Sequence, residues 1–259
     1  LKFLTAEEAH LWEMTHNKLK GDLNLPNLIN NLDLYYLNYR TELENRYLLQ
    51  QKGSQLPDLQ LSMVAVDLRQ DNSVLLQISS GIRQILSKSF PSVEEFNELM
   101  QLLQQKEKVL SFDMQAQFYA YLRSTCTLLI NGGNLAFIPV LHNINKDNLE
   151  RGYFLIKGEI APNPYINLVQ VATRAKEFGW AKAFTEQYKK RILGGDDDAF
   201  FYRFNMAHCL FAEGNFDAAL SQIPEASSNS HYLHLLRLLE LKIYYELRSD
   251  LLEYKIDAF

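Results

Sequence analysis

The chain has 259 residues, of which 47% are hydrophobic and 22% are charged, and its formal net charge is −5. This composition excludes a disordered chain, and the acidic balance argues against a nucleic-acid binder, which needs a positive surface to displace counterions. Only 11 Gly and 7 Pro are present for turns, so the sequence predicts an all-α protein rather than a many-stranded fold.

The compartment is constrained only by features that the sequence lacks. No run of about 18 apolar residues is present, so we expect no membrane span. Residues 1–5 do not have the basic-then-apolar form of a secretion signal, which favours a soluble, cytoplasmic protein. Cys126 and Cys209 lie far apart in apolar helical stretches, so the sequence indicates neither a disulfide framework nor a zinc site built on cysteine.

The first predicted elements are two helices and one ambiguous segment. A capping-box pattern at Thr5–Glu8 predicts a helix that Gly21 ends, and a second, long helix is predicted to end near Gly53. Residues 61–68 fit both the helical and the strand spacing. One face of the long helix is predicted to be apolar and consists of Leu28, Leu32, Tyr35, Tyr36, Tyr39, Leu43 and Tyr47.

Three more helices follow, each with a capping signal. The first spans residues 75–86, with Asp71 or Asn72 as its predicted cap. The second begins with the capping box Ser92–Glu95. Ser111 or Asp113 precedes the third, an aromatic helix that the glycines of residues 131–134 end.

The segment from Asn145 to Pro164 is predicted to be a long connection with some extended backbone, because it contains two glycines and two prolines. Asn163 and Pro164 then predict a helix start, with Asn as the cap and Pro at the first helical position.

From Pro164 onward the sequence becomes self-similar with a period of about 34 residues. Residues 200–226 resemble one tetratricopeptide repeat, which is a hairpin of helix A and helix B. A shift of 34 residues forward places Arg248 at the position of Gly214, and a shift of 35 residues back places Gly179 there. The residues that carry the resemblance are Ala207, Leu210, Gly214, Phe216, Ala219, Leu220 and Ala226.

The resemblance implies an α-solenoid, a superhelix of antiparallel helix hairpins in which each hairpin covers the apolar face of its neighbour. We predict an N-terminal helical region at residues 1–110 and degenerate tetratricopeptide-like hairpins at 111–259, clearest at 164–259. Helices at 113–131 and 134–146 are interpreted as a worn earlier hairpin of the same array.

In this family the A helices line a concave groove that binds a peptide. Family members that grip a C-terminal carboxylate use Lys and Asn there, whereas this chain has Val169, Phe204 and Leu238, which favours an apolar or amphipathic peptide. The alternative is that the protein's own helices fill the groove. The predicted groove residues are Val169, Thr173, Phe201, Phe204, His208, Phe211, Leu238, Lys242 and Tyr245, flanked by Ile166 and Leu235.

Other polar clusters do not predict a reaction. The segment Gly194–Asp198 lacks the spacing of a calcium loop and is interpreted as a turn with Asp198 capping the next helix. His231 and His234 share a helix face but have no third metal ligand nearby. No nucleophile elbow or phosphate-binding loop is present, so the sequence predicts no catalytic residue, metal or cofactor.

The leading functional hypothesis is therefore a non-enzymatic protein–protein interaction or scaffold module. One alternative is a helical enzyme or regulatory subunit with its site in the N-terminal helices or the 145–164 connection. A third hypothesis, an RNA-binding helical repeat, requires a basic inner face, which the apolar groove residues do not provide.

Overall fold

The computed structural model describes Glu8 and residues 25–53, 73–88, 91–194, 198–224 and 230–257. These residues form eleven α-helices apart from Glu8, with one short two-stranded sheet, so the predicted all-α class is confirmed. The chain divides into two compact units, Leu1–Asn134 (unit 1) and Leu135–Phe259 (unit 2). The predicted helix from Thr5, the ambiguous residues 61–68 and the predicted caps Asp71 and Asn72 lie outside the described residues.

Unit 1 contains four α-helices among its described ranges, and helical capping accounts for where two of them begin. Ser92 accepts a hydrogen bond from the Glu95 amide (3.2 Å) and donates its own amide to the Glu95 carboxylate (3.1 Å), so the predicted capping box is confirmed. Ser111 caps the last helix through the Met114 amide, at 3.3 Å. The helices are α1 (Leu25–Gly53), α2 (Val74–Ser87), α3 (Val93–Lys106), followed by a 3₁₀ turn (Glu107–Val109), and α4 (Phe112–Asn131).

Helix α4 belongs to unit 1, where it contacts α1 and α2. The sequence predicts a boundary at residue 110 and assigns this helix to the repeats. The two compact units of the structure divide between Asn134 and Leu135, and within unit 1 Tyr121 and Gln117 of α4 hydrogen-bond to Glu42 of α1. The predicted helices at 113–131 and 134–146 therefore lie in different units.

Unit 2 begins with a helix and a β-hairpin and continues as paired helices. The hairpin turns at Lys157 and Gly158, whose φ angles of 52° and 88° match the tight turn that joins two short strands. The elements are α5 (Phe137–Glu150), β1 (Leu155–Ile156), β2 (Glu159–Ile160), α6 (Pro162–Arg174), α7 (Phe178–Tyr188), α8 (Asp198–Ala212), α9 (Phe216–Ser221), α10 (Ser230–Glu246) and α11 (Leu252–Asp257).

Two predicted boundaries in this region are corrected. Helix α5 continues to Glu150, so the connection predicted from Asn145 is shorter, and its extended backbone is the β-hairpin. Helix α6 begins at Pro162 rather than at Pro164, with Ala161 before it in extended conformation. Pro162 suits the first helical turn as well as Pro164 does, because neither position needs an amide hydrogen there.

The same turn ends helices α6, α8 and α10. In each turn one residue has a positive φ: Lys176 at 63°, Gly214 at 84° and Arg248 at 49°. The amides of these three residues donate to carbonyls three residues back, and the amides that follow donate to carbonyls five residues back. This hydrogen-bond pattern is a Schellman motif, which satisfies the last carbonyls of a helix.

The turns correct the register between the first two hairpins. Gly179, which the sequence analysis aligns with Gly214, is the second residue of α7, and Lys176 occupies the equivalent turn position. With this register Ala181 and Ala219 both lie five residues after the turn, and both are fully buried. The spacing between the first two turns is therefore 38 residues, whereas 34 residues separate Gly214 from Arg248 as predicted.

The helices of unit 2 contact one another in a regular order. Helix α7 lies against both α6 and α8, helix α9 lies against both α8 and α10, and α11 lies against α10. Helix α8 also contacts α6 on one side and α10 on the other. The core of the unit consists of the apolar side chains between these helices, including an aromatic cluster in which Trp180 stacks on Phe184 at 5.1 Å.

Candidate partner-binding face

The nine predicted groove residues lie on α6, α8 and α10, and the structure separates them by burial. Val169, Thr173, Phe201 and Phe204 are buried, and Phe204 is only 2% exposed. In this structure they pack inside unit 2, which corrects their assignment to an open groove. His208 and Phe211 are partly exposed, while Leu238, Lys242 and Tyr245 are exposed.

Tyr232 at the beginning of α10 explains why this end of the face is closed. Its ring contacts Phe201 edge-to-face, with the ring centroids 4.8 Å apart. Its hydroxyl donates a hydrogen bond to the Asn163 side chain at the beginning of α6 (2.9 Å). Helix α10 thus reaches α6 across α8 near Phe201, and the sequence analysis missed this because the Tyr232–Asn163 contact spans 69 residues.

Further along the same face, a row of polar side chains crosses α6, α8 and α10. The Thr173 hydroxyl of α6 donates to the Gln170 carbonyl (3.0 Å) and lies 3.4 Å from Nδ1 of His208 on α8. Since the hydroxyl proton is already donated, its oxygen accepts from the ring, which assigns the His208 proton to Nδ1. Lys242 of α10 is the third member of the row.

The charge of this row is carried by Lys242. Burial and, to a smaller extent, the positive charge of Lys242 together lower the pKa of His208 to about 4. The imidazole is therefore neutral near pH 7 and leaves Nε2 as a hydrogen-bond acceptor.

The most accessible part of the face is on α10. Leu238, Lys242 and Tyr245 are separated by four and three residues, so they share one side of the helix, which we call the α10 strip. Leu238 is 37% exposed and Tyr245 is 68% exposed. Phe211 of α8 is half-buried because its ring packs against Phe216, with centroids 5.6 Å apart. The strip therefore presents an aliphatic, a cationic and an aromatic side chain together.

The remaining sequence candidates give no second site. Asp198 is the first residue of α8 rather than the residue before it, and burial, followed by repulsion from Glu159, raises the pKa of its carboxyl. Residues 195–197 and the His231 side chain lie outside what the structure describes, and His234 is exposed. Within the described ranges, no group of three or more His, Cys, Asp or Glu side chains is arranged to hold a metal ion.

One buried polar group was not singled out from the sequence. His142 of α5 is buried, and neither of its ring nitrogens has a hydrogen-bond partner among the described residues. Its ring meets the edge of Trp180 at 5.0 Å, and burial lowers its pKa. Asn148, fully buried six residues later, has a side-chain amide that is likewise unpaired within the described part of the chain.

A second apolar surface lies on α1 in unit 1. The sequence predicts one apolar face for this helix, and in the structure most of that face is exposed.

No helix that the structure describes is long and apolar enough to cross a membrane. Comparison with known proteins gives no match to this chain among family models, curated proteins or solved structures.

Proposed function

We propose that unit 2 is a tetratricopeptide-like stack of three helix hairpins that binds an apolar or amphipathic segment of a protein partner without catalysing a reaction. The observation that carries this proposal is the α10 strip, where Leu238, Lys242 and Tyr245 are exposed on one helix face. Large apolar side chains grouped on the surface mark sites where proteins bind other molecules.

The helical organisation of unit 2 supports the repeat interpretation. Each B helix, α7 and α9, contacts the A helices on both sides, and consecutive A helices contact each other. The recurring turn and the buried Ala181 and Ala219 supply the close approach that such a stack needs. In stacked repeats the A helices present one continuous surface, and here the accessible part of that surface is the α10 strip with Phe211 and His208 beside it.

The chemistry of the strip defines the partner. Leu238 and Tyr245 offer apolar contact one turn before and one turn after Lys242. This spacing suits a partner helix with apolar residues at i, i+3 and i+4. The Lys242 ammonium favours an acidic residue on the edge of that helix. Since His208 is neutral at pH 7, it adds a hydrogen-bond acceptor rather than a second positive charge.

A peptide-display selection on the full chain tests this proposal. We expect the enriched peptides to have an amphipathic helical pattern with at least one acidic residue, and we measure their dissociation constants by fluorescence anisotropy. The variant Leu238→Ala/Tyr245→Ala should weaken binding at least about tenfold, because truncating an interface anchor typically costs more than about 1 kcal/mol. Lys242→Ala should weaken binding less and reduce its dependence on salt.

Tyr254→Ala is the matched control, because Tyr254 is as exposed as Tyr245 but lies on α11, outside the strip. It should bind the selected peptides as the unmodified protein does. Peptides that bind the Leu238→Ala/Tyr245→Ala variant with unchanged affinity would contradict the proposal. A preference for a labelled RNA oligonucleotide over all selected peptides would replace it with the RNA-binding alternative.

A further inference from the structure

Helix α1 carries a heptad seam. Six large apolar residues follow one another at intervals of four, three, four, three and four residues, which is the spacing of the a and d positions of a coiled coil. All six are between 43% and 58% exposed. The residues of this α1 seam are Leu25, Ile29, Leu32, Tyr36, Tyr39 and Leu43.

A different face of the same helix holds unit 1 together. Asn45 is buried and donates to the Ser79 carbonyl of α2 at 2.9 Å, and the buried Glu44 carboxylate pairs with Arg83 of α2. Glu44 and Asn45 are consecutive, and they lie on the side of α1 that faces α2, away from the seam. In contrast, no residue from 25 to 43 is buried. On a further side of α1, Glu42 and Arg46 hydrogen-bond to α4 beside Leu43, the last seam residue. The six seam side chains stay exposed next to both sets of contacts.

We propose that the α1 seam pairs with the α1 seam of a second copy of this chain, and that the two helices run antiparallel. In this arrangement a positions face d positions across a two-fold axis, so that the same surface is used by both copies. Leu32 packs against the partner's Leu43, and Tyr36 packs against the partner's Tyr39. The two-fold axis passes between Tyr36 and Tyr39. The Leu32–Leu43 pair and the Tyr36–Tyr39 pair therefore each occur twice in the dimer, and each pair is one layer of the interface.

The charges beside the seam favour the antiparallel orientation. Arg46 occupies the d position after Tyr39, and its guanidinium binds Glu42 and the Tyr121 hydroxyl within its own unit. In a parallel pair this charge would face the partner's Arg46. In the antiparallel pair Arg46 lies beside the partner's Ile29, which the methylene groups of its side chain can cover. Asp33 and Arg40 flank the seam on one edge, and the antiparallel register places Asp33 opposite the partner's Arg40 on both sides of the axis. Arg40 already pairs with Glu44 of its own helix at 2.9 Å, so Asp33 adds a second carboxylate near the same guanidinium.

The area of the seam is sufficient for a dimer. Six half-exposed side chains of this size offer about 100 Å² each, or about 600 Å² on each helix. Pairing two seams removes about 1,200 Å² in total from water, which is the lower limit of specific protein interfaces. The seam thus has the size, the spacing and the self-complementary register of a homodimer interface.

Analytical ultracentrifugation of the full chain tests the pairing. We expect a dimer, and the variant Leu32→Glu/Leu43→Glu should raise its dissociation constant at least 100-fold, because it places four carboxylates in two layers of the interface. Asn30→Glu is the control, since Asn30 is exposed on α1 outside the seam, and it should leave the dimer intact. Circular dichroism should give the same helix content for the unmodified protein and both variants, because the substituted side chains are exposed on a single copy of the chain.

Two outcomes overturn the proposal. One is an unmodified protein that sediments as a monomer up to about 100 µM, the weak end of the range in which a specific dimer is detected. The other is a dimer that Leu32→Glu/Leu43→Glu leaves unchanged, since this would place the interface elsewhere on the chain.

Cysteine cross-linking tests the orientation. The double variant Leu32→Cys/Leu43→Cys should form a disulfide-linked dimer on mild oxidation, whereas Leu32→Cys alone should not. The two positions are about 16 Å apart along α1, so they cannot bridge within one chain. The native Cys126 and Cys209 are both buried and therefore do not compete. Efficient cross-linking of Leu32→Cys alone would overturn the antiparallel arrangement.

Discussion

Helices α1 and α8 each have an apolar stripe in the sequence, and in the structure one stripe is exposed and the other is largely buried. Phe201 and Phe204 of α8 are buried, although the tetratricopeptide register predicts that they face an open groove. Leu32 and Leu43 of α1 are exposed, although they lie on the predicted apolar face of a long helix. Periodicity therefore shows that a helix has an apolar face, but it does not show whether the same chain covers that face.

The difference lies in what surrounds each stripe. Helix α8 has the small residues Ala207 and Cys209 on its other sides, both fully buried, and Ala219 of α9 is equally buried. Small side chains let backbones approach closely, so α8 is enclosed by neighbours on several sides. The α1 seam has no residue smaller than Leu. Large side chains of this kind suit the a and d positions of a coiled coil, where each inserts between residues of the facing helix, rather than the close crossing of two helices within a hairpin.

The largest expected effect comes from truncating matched side chains in the two stripes. Phe204→Ala should lower the free energy of unfolding of unit 2 by about 3–5 kcal/mol, because it leaves a cavity in a packed core. Leu32→Ala should change the stability of the monomer by less than about 0.5 kcal/mol, because its side chain is already exposed to water. Urea unfolding of dilute protein, followed by circular dichroism, measures both.

Fluorescence separates the two units in this experiment. Trp12 and Trp180 are the two tryptophans of the chain, so in a Trp12→Phe background the emission reports on Trp180 in unit 2. Phe204→Ala should shift this transition and Leu32→Ala should not. Similar losses of stability for the two variants would mean that the α1 seam is covered within one copy of the chain.

A smaller change in stability is expected when the pH is lowered. It tests whether His208 of α8 is buried between the helices of unit 2. The pKa of His208 is about 4 in the folded protein, below the usual value of about 6.5. Between these two values the unfolded chain binds more protons than the folded one, so stability falls as pH is lowered through this window. The full effect is at most about 3 kcal/mol, because one pKa unit corresponds to about 1.4 kcal/mol.

A histidine variant isolates this contribution. His208→Gln should reduce the loss of stability between pH 6.5 and 4, measured by urea unfolding at each pH and compared with the unmodified protein. An unchanged profile in His208→Gln would show that the face around Thr173 and Lys242 is open to water.

Features set by neighbouring residues were predictable from the sequence. The capping box of Ser92 and Glu95, the Ser111 cap and the glycine turn after α4 all depend on groups within a few residues of each other, and all are present. The hairpin turn at Gly214 and the buried Ala207 and Ala219 were predictable for the same reason.

Features that depend on distant residues were not predictable. The burial of Phe201 depends on Tyr232, and the placement of α4 in unit 1 depends on its contacts with α1. The register of the first hairpin failed for a different reason. A glycine was expected in its turn, but the residue with the positive φ is Lys176, and Gly179 lies within α7. Of the predicted groove, only the part on α10 remains fully exposed.

The smallest predicted effect concerns this turn, where a lysine stands in place of glycine. A residue with a Cβ atom is less stable in the left-handed conformation by about 1–2 kcal/mol, so Lys176→Gly removes strain from the folded state. Glycine also makes the unfolded chain more flexible, which offsets about 0.4–1 kcal/mol. Lys176→Gly should therefore raise the stability of unit 2 by about 0.5 kcal/mol.

The reverse substitution Gly214→Lys should lower the stability of unit 2 by about as much. Nothing lies within 4 Å of the added Cβ atom, so only the left-handed backbone conformation disfavours the lysine. A loss of stability in Lys176→Gly would mean that the two turns are not equivalent, and the 38-residue register that relates α6–α7 to α8–α9 would fail with it.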